Sequence, residues 1–307
     1  MTLRSLKTAC LLACAITPMV VTLGAKAGND VEQVQQAARL PVTKDSSWSL
    51  RLPEDEKVTY RGVVNLDEAG MGTGSMMYPA PNAAGLLAAV ITHGFIVDAQ
   101  KKAQKDKLQA EADKVLLPYQ AVLSEYKHID LMQRALEKAS TGGSKKLVAF
   151  SEKPGADWFV ESRPVFLVTQ DQSAIILDNA ISIYAPGAPA AAAYQNVVRV
   201  VAKAREETDL ASFWTANQGE KLKEESARLF ADSLDIAFGE LATGSSKDNN
   251  AHKTVRYLEG NVEKMERGEL VSQNCSRVVI RTLRGWLMSV PARRSAATAV
   301  DECGSAK

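Results

Sequence analysis

DWFVESRPVFLVTQDQSAIILDNAISIY, residues 157–184, decides the fold class. Two runs rich in β-branched and aromatic residues, Trp158 to Thr169 and Ala174 to Tyr184, flank the polar turn Gln170, Asp171, Gln172, Ser173, which is the pattern of a β-hairpin. In the second run Ile175, Leu177, Ile181 and Ile183 keep odd-numbered spacing, as a strand with one buried face requires. Pro164 cannot donate to a ladder, so an edge or a bulge is expected around it.

Further sheet is expected outward from this hairpin. Leu147 to Phe150 precedes it, and Asn196 to Ala202 follows the linker Pro186 to Ala193, as a strand extending the meander or as the opening of a helix. Thr208 to Leu241 reads as helix, separated by Gly219 into a segment with Leu210, Phe213 and Trp214 and one with Leu222, Leu229, Phe230, Leu234, Ile236 and Phe238. Thr254 to Leu258, Ser276 to Thr282 and Trp286 to Val290 read as closing strands, the last two joined by a turn at Arg284 and Gly285. Upstream, Lys57 to Leu66 has strand composition, while residues 28–55 read as peripheral.

Between Pro81 and Gly142 the pattern is helical. Ala83 to Val97 is apolar nearly all round and Asp98 to Lys114 is densely charged; after Pro118 an amphipathic pattern runs through Tyr119, Val122, Leu123, Tyr126, Leu131, Met132, Ala135 and Leu136. The expected class is therefore α+β, an antiparallel β-meander with helices packed on one face, preceded by a long helical segment. The expected divisions are a signal peptide at 1–27, a peripheral segment with one strand at 28–78, a helical region at 79–143, an α+β core at 144–292 and a polar tail at 293–307.

The address comes from the N-terminus. Arg4 and Lys7 precede an apolar run from Ala9 to Ala25, and Ala25, Lys26, Ala27 forms a small-x-small cleavage site, so export to the periplasm or beyond with cleavage after Ala27 is expected. Leu11, Leu12, Ala13, Cys14 is a poorer, lipobox-like alternative. Removing residues 1–27 takes Arg4, Lys7 and Lys26 and no acid, leaving 34 basic and 36 acidic residues and a net charge of −2. A near-neutral chain without a concentrated basic face lacks the electrostatic footprint of a nucleic-acid binder. The exported chain keeps Cys275 and Cys303, which in an oxidising compartment are expected to form a disulfide.

Candidate functional residues fall in three groups. Ala84, Gly85, Ala88 and Ala89 give the small-xxx-small spacing that lets helices approach closely, and with His93 they make residues 83–97 a candidate association helix for an envelope protein, a membrane surface or a second copy of the chain. Arg277, Arg281, Arg284, Arg293 and Arg294 cluster with few acids between them, which is a solvated strand face and tail or a contact for an anionic partner. Glu161, Asp171, Asp178, Glu206 and Glu207 are the carboxylates available to a hydrolase of envelope polymers, but nothing in their sequence singles out an acid and a base.

No cofactor or metal is expected. Gly72, Thr73, Gly74, Ser75 lacks the lysine of a P-loop, and His93, His128 and His252 have no metal-ligand spacing. Ser124 and Lys127 make a Ser-x-x-Lys without the strand motif that completes such a site. The expected function is that of an exported, non-enzymatic, envelope-associated protein, with a hydrolase or a carrier of small apolar ligands as alternatives. The order of elements resembles that of the periplasmic domains of envelope secretion and assembly lipoproteins, in order alone, and no residue is read across from them.

Overall fold

A sheet of ten strands organises the chain, and most of its pairings are antiparallel. The computed structural model describes residues 42–292 apart from 44, 65–98, 189–190 and 245–250. The hairpin expected from the sequence forms its centre. β4 (Trp158–Val168) pairs with β5 (Ile175–Tyr184) in unbroken register from Phe159↔Tyr184 to Val168↔Ile175, and β5 pairs in turn with β6 (Tyr194–Val201). The Asn196 region is thus strand, as its run of valines favours.

On the other side of β4 the sheet continues through two short parallel strands, β1 (Trp48–Arg51) and β2 (Thr59–Gly62). β1 pairs Trp158 to Glu161 and β2 pairs Val165 to Val168, so Pro164 lies in the interval that neither covers. This is a local edge inside the sheet, and a residue without an N–H is tolerated there. The stretch read as a peripheral segment with one strand therefore supplies two strands. Its Trp48 is 1% exposed and its Leu50 is fully buried, and β1 lies between β4 and the edge strand β3 (Lys145–Val148).

Beyond β6 the order is β10 (Leu287–Pro291), β9 (Arg277–Thr282), β8 (Val262–Gln273) and β7 (Lys253–Glu259). β10 joins β6 in parallel, so the chain does not run as a simple meander. β8 had no strand signal in its sequence. The sheet curls at this end, so that the turn joining β7 to β8 meets the β4–β5 turn, where Asn261 N donates to Asp171 Oδ2 at 2.7 Å.

Helices cover one face. α1 (Ala99–Ala112), α2 (Gln120–Glu125) and α3 (His128–Lys138) follow one another, with a 3-10 segment at Asp113–Tyr119 between the first two. α4 (Leu210–Thr243) is capped by Asp209, which accepts from Ser212 N at 3.0 Å. It breaks at Ala216 to Gly219, where Asn217, Gln218 and Gly219 all take positive φ. Gly219 is required by this break. A Cβ there would sit 2.3 Å from Val122 Cγ1 as well as forcing a side chain into the left-handed region.

The main core joins helix to sheet. Leu131, Met132 and Ala135 of α3 and Trp214, Phe230, Leu234 and Phe238 of α4 share one cluster with Trp48, Val160, Phe166, Leu177, Ile181 and Val198. A buried polar chain pins α4 within it: Ser162 Oγ donates to Asn179 Oδ1 at 2.6 Å, Asn179 Nδ2 donates to Ser233 Oγ at 2.9 Å, and Ser233 Oγ donates to the Phe230 carbonyl. Because every member is satisfied, the chain fixes how the helix sits without leaving a buried polar group unpaired. The second face carries its own strand-built cluster of Ile176, Val201, Tyr257, Ile280, Met288 and Val290. β5 is therefore buried on both faces, where the odd-numbered spacing implied one.

Candidate binding cleft

The second half of α4 crosses the strands at the curled end of the sheet and leaves a cleft of about 440 Å³. Asp232, Asp235, Ile236, Gly239, Glu240 and Thr243 form one wall, at the i, i+3, i+4, i+7 spacing of a single helix face. Val279, Arg277 and Ser289 of β9 and β10 form the floor. The opposite wall is Val271 and Ser272 of β8 with Asn274 of the turn that follows.

Two local features open the space. Gly239 lies in the helix interior, and a Cβ built on it meets nothing within 4 Å. Glycine there costs roughly 0.5–1 kcal/mol of helix stability relative to alanine, with no turn or positive φ to require it. On the strand side the β8–β9 register slips between Leu270 and Ser272, which makes Val271 the extra residue of a bulge. Bulges re-aim side chains and are over-represented beside functional sites. Val271 is 40% exposed.

The charges of the cleft are unequally matched. Asp235 accepts from Ser140 N and Thr141 N at 2.9 Å each, Asp232 accepts from Arg228 Nη1 at 2.8 Å, and Glu240 is paired with Arg281. Arg228 also grips Glu225, which accepts a third contact from Arg205 at 3.3 Å. Each acid lining the cleft thus has a partner. Arg277 differs: its Nε donates to Ser289 Oγ at 2.7 Å and its Nη2 to the carbonyls of Val201 and Ser289 at 2.9 Å each, all neutral acceptors. Among the described residues no carboxylate pairs with it and no acceptor meets its Nη1.

Burial acts on both signs of charge here. It pushes the Arg277 guanidinium down from its ordinary value, and it raises the Asp232 carboxyl even though Arg228 pulls the other way. Asn274 is fixed beside Arg277. Its Oδ1 accepts from Ser276 N, Ser276 Oγ and Arg277 N at 2.8 to 2.9 Å, which sets the direction of its Nδ2 donors.

The residues singled out in the sequence fall in different places. Ala84, Gly85, Ala88, Ala89 and His93 lie outside the described residues, as do Cys303, Arg293 and Arg294; Cys275 is exposed in the β8–β9 turn. Of the arginine cluster, Arg277 enters the cleft, Arg281 pairs with Glu240 and Glu269, and Arg284 lies over the Trp286 ring. Of the candidate hydrolytic carboxylates, Glu206 and Glu207 are exposed neighbours in the segment after β6, and the other three have separate partners. Glu161 pairs with Arg51, Asp178 with Arg199, and Asp171 clamps the β4–β5 turn through Thr169 and Ser173. Lys127 pairs with Glu56 rather than with Ser124, whose hydroxyl donates to the Ala121 carbonyl. Sequence reasoning missed the helix wall of the cleft, where Gly239 in an otherwise helical run was the available signal.

Among the described residues no cluster of His, Cys, Asp or Glu could hold a metal ion, and no helix is long and apolar enough to cross a membrane. No protein-family model, curated protein or solved structure matches the chain.

Proposed function

We propose that the chain is an exported, envelope-associated binding protein that takes a small ligand into the cleft between α4 and β8–β10, without catalysing its conversion. The observation that carries this reading is the combination of a glycine facing open space on the helix with a bulged strand opposite it, both at a local cost to regular structure. A volume of about 440 Å³ lies within the range of small-molecule pockets and is small for a polymer. Of the carboxylates a hydrolase would recruit, Glu161, Asp178 and Asp171 are occupied in separate ion pairs and a turn, and Glu206 and Glu207 are exposed after β6, away from the cleft lining.

Export, cleavage after Ala27, a Cys275–Cys303 disulfide and association with a partner through the helical segment at 83–97 belong to the same proposal and rest on the sequence. Protein recovered from the periplasm should have an intact non-reduced mass that starts at Gly28 and lacks two thiol hydrogens. A mass that retains the first 27 residues would overturn the export reading, and two titratable thiols would overturn the disulfide.

The cleft itself is tested at Gly239. Replacing it by alanine should raise stability in urea unfolding by about 0.5–1 kcal/mol, because it removes backbone freedom from the unfolded chain and meets no obstacle. Replacing it by phenylalanine should leave the fold intact and abolish saturable calorimetric binding of short amphiphiles such as octanol or octanoate. Binding unchanged in Gly239→Phe, or no binding by the wild-type chain, would remove the cleft as the site.

A further inference from the structure

We infer that the ligand of this cleft is a small amphipathic anion, with its carboxylate or phosphate head on Arg277 and Asn274 and its apolar body along Ile236, Val271 and Val279. This rests on the reading of the cleft as a ligand site and names the chemistry of what fills it.

Ser289 Oγ, the Ser289 carbonyl and the Val201 carbonyl satisfy three hydrogen bonds of Arg277, while Asp232 and Glu225 act on its charge only through space, without a direct ion pair. A half-buried cation surrounded by neutral acceptors is unfavourable unless a counter-ion arrives. The protein withholds its own. Asp232 is the acid of the cleft lining that acts on Arg277 through space, and its direct ion pair goes to Arg228, which Glu225 anchors in turn. Asp235 is held by the Ser140–Thr141 backbone and Glu240 by Arg281. The direct ion pair to Arg277 is therefore left for an anion from outside.

The donors are already in position. Arg277 Nη1 has no acceptor among the described residues and is not sealed from solvent. Three hydrogen bonds fix Arg277 and three fix Asn274, so an anion arriving at them immobilises little that is not already ordered. The same wall of the cleft that carries Gly239 also carries Ile236, and Val271 is thrust into it by the bulge. A head group at Arg277 thus has apolar surface beside it for a short chain. A long polymer does not fit this description.

The test is calorimetric titration of the mature chain with octanoate, octyl phosphate and octanol at neutral pH and low salt. The anions should bind on the order of 100-fold more tightly than octanol, as expected for a charge pair formed in a partly buried site. Whichever of carboxylate and phosphate binds more tightly identifies the head group. In Arg277→Gln the anions should fall to the affinity of octanol, with octanol itself unchanged. Equal binding of octanol and octanoate by the wild-type chain would overturn the inference while leaving the cleft as a site, and so would anion binding undiminished in a folded Arg277→Gln. No binding of any of the three would remove the cleft reading along with it.

Discussion

Replacing Glu225 by alanine should destabilise the fold by about 3 kcal/mol and at the same time weaken anion binding in the cleft. Glu225 is 6% exposed and receives two arginines, Arg228 at 2.6 Å and Arg205 at 3.3 Å. Removing one partner from a fully buried pair costs roughly 3–5 kcal/mol, because the remaining charge is left uncompensated. Arg205 and Arg228 are each 39% exposed at the side chain, so water recovers part of that loss and the low end of the range applies. The functional consequence follows from Arg228. Without Glu225 it is no longer braced, and Asp232 gains the freedom to swing toward Arg277 and occupy the place of the ligand. Urea unfolding and calorimetry on the same variant check both parts. Stability within 1 kcal/mol of wild type would show that the two arginines do not depend on Glu225.

The share of stability that depends on His128 should also fall by about 3 kcal/mol as the pH drops from 6.5 to 4. The ring is 4% exposed, its Nδ1 has no partner among the described residues, and burial pulls its pKa down to about 4 from 6.5. Asp55 opposes this shift and Arg163 adds to it. Because the folded value lies below the unfolded one, the unfolded chain takes up the proton first. The stability held by neutral His128 is therefore fully present above about pH 6.5, is lost progressively below it, and stops falling near pH 4, where both states are protonated. Carboxylates add their own pH dependence, so the difference between wild type and His128→Gln isolates this one. Parallel curves for the two proteins between pH 7 and 4 would assign the acid sensitivity elsewhere.

These two sites show what the sequence could and could not reveal. The β4–β5 hairpin was legible because a strand buried on its core face must alternate, and Ile175, Leu177, Ile181 and Ile183 do. The break in α4 was legible at Gly219, since a left-handed residue packed on Val122 leaves a glycine behind. β8 was not, because Val262–Gln273 is largely exposed and is made a strand by pairing with β7 and β9 rather than by its own residues. β1 was hidden for a different reason: four residues are too few to show a period, their pairing comes from β3 and β4 on either side, and Trp48 is buried by Phe238 of the distant helix α4.

The cleft was half legible. Arg277 stood out in an arginine-rich stretch as a contact for an anion, yet so did Arg281 and Arg284. What separates them is the company each keeps in space. Arg281 meets Glu240, Arg284 lies over Trp286, and Arg277, among the described residues, hydrogen-bonds to neutral oxygens only. His128 likewise reads as one of three scattered histidines until its burial beneath the Asp55 and Arg163 pair is seen. Counter-ions and burial are relations between distant parts of the chain, and one-dimensional spacing does not encode them.

The most direct measurement is a crystal structure of the mature chain grown with octanoate or octyl phosphate, whichever binds more tightly. The head group should lie within hydrogen-bond distance of Arg277 Nη1 and Asn274 Nδ2, with the chain between Ile236 and Val271. An empty cleft at saturating ligand, or the ligand seated elsewhere on the sheet, would contradict it.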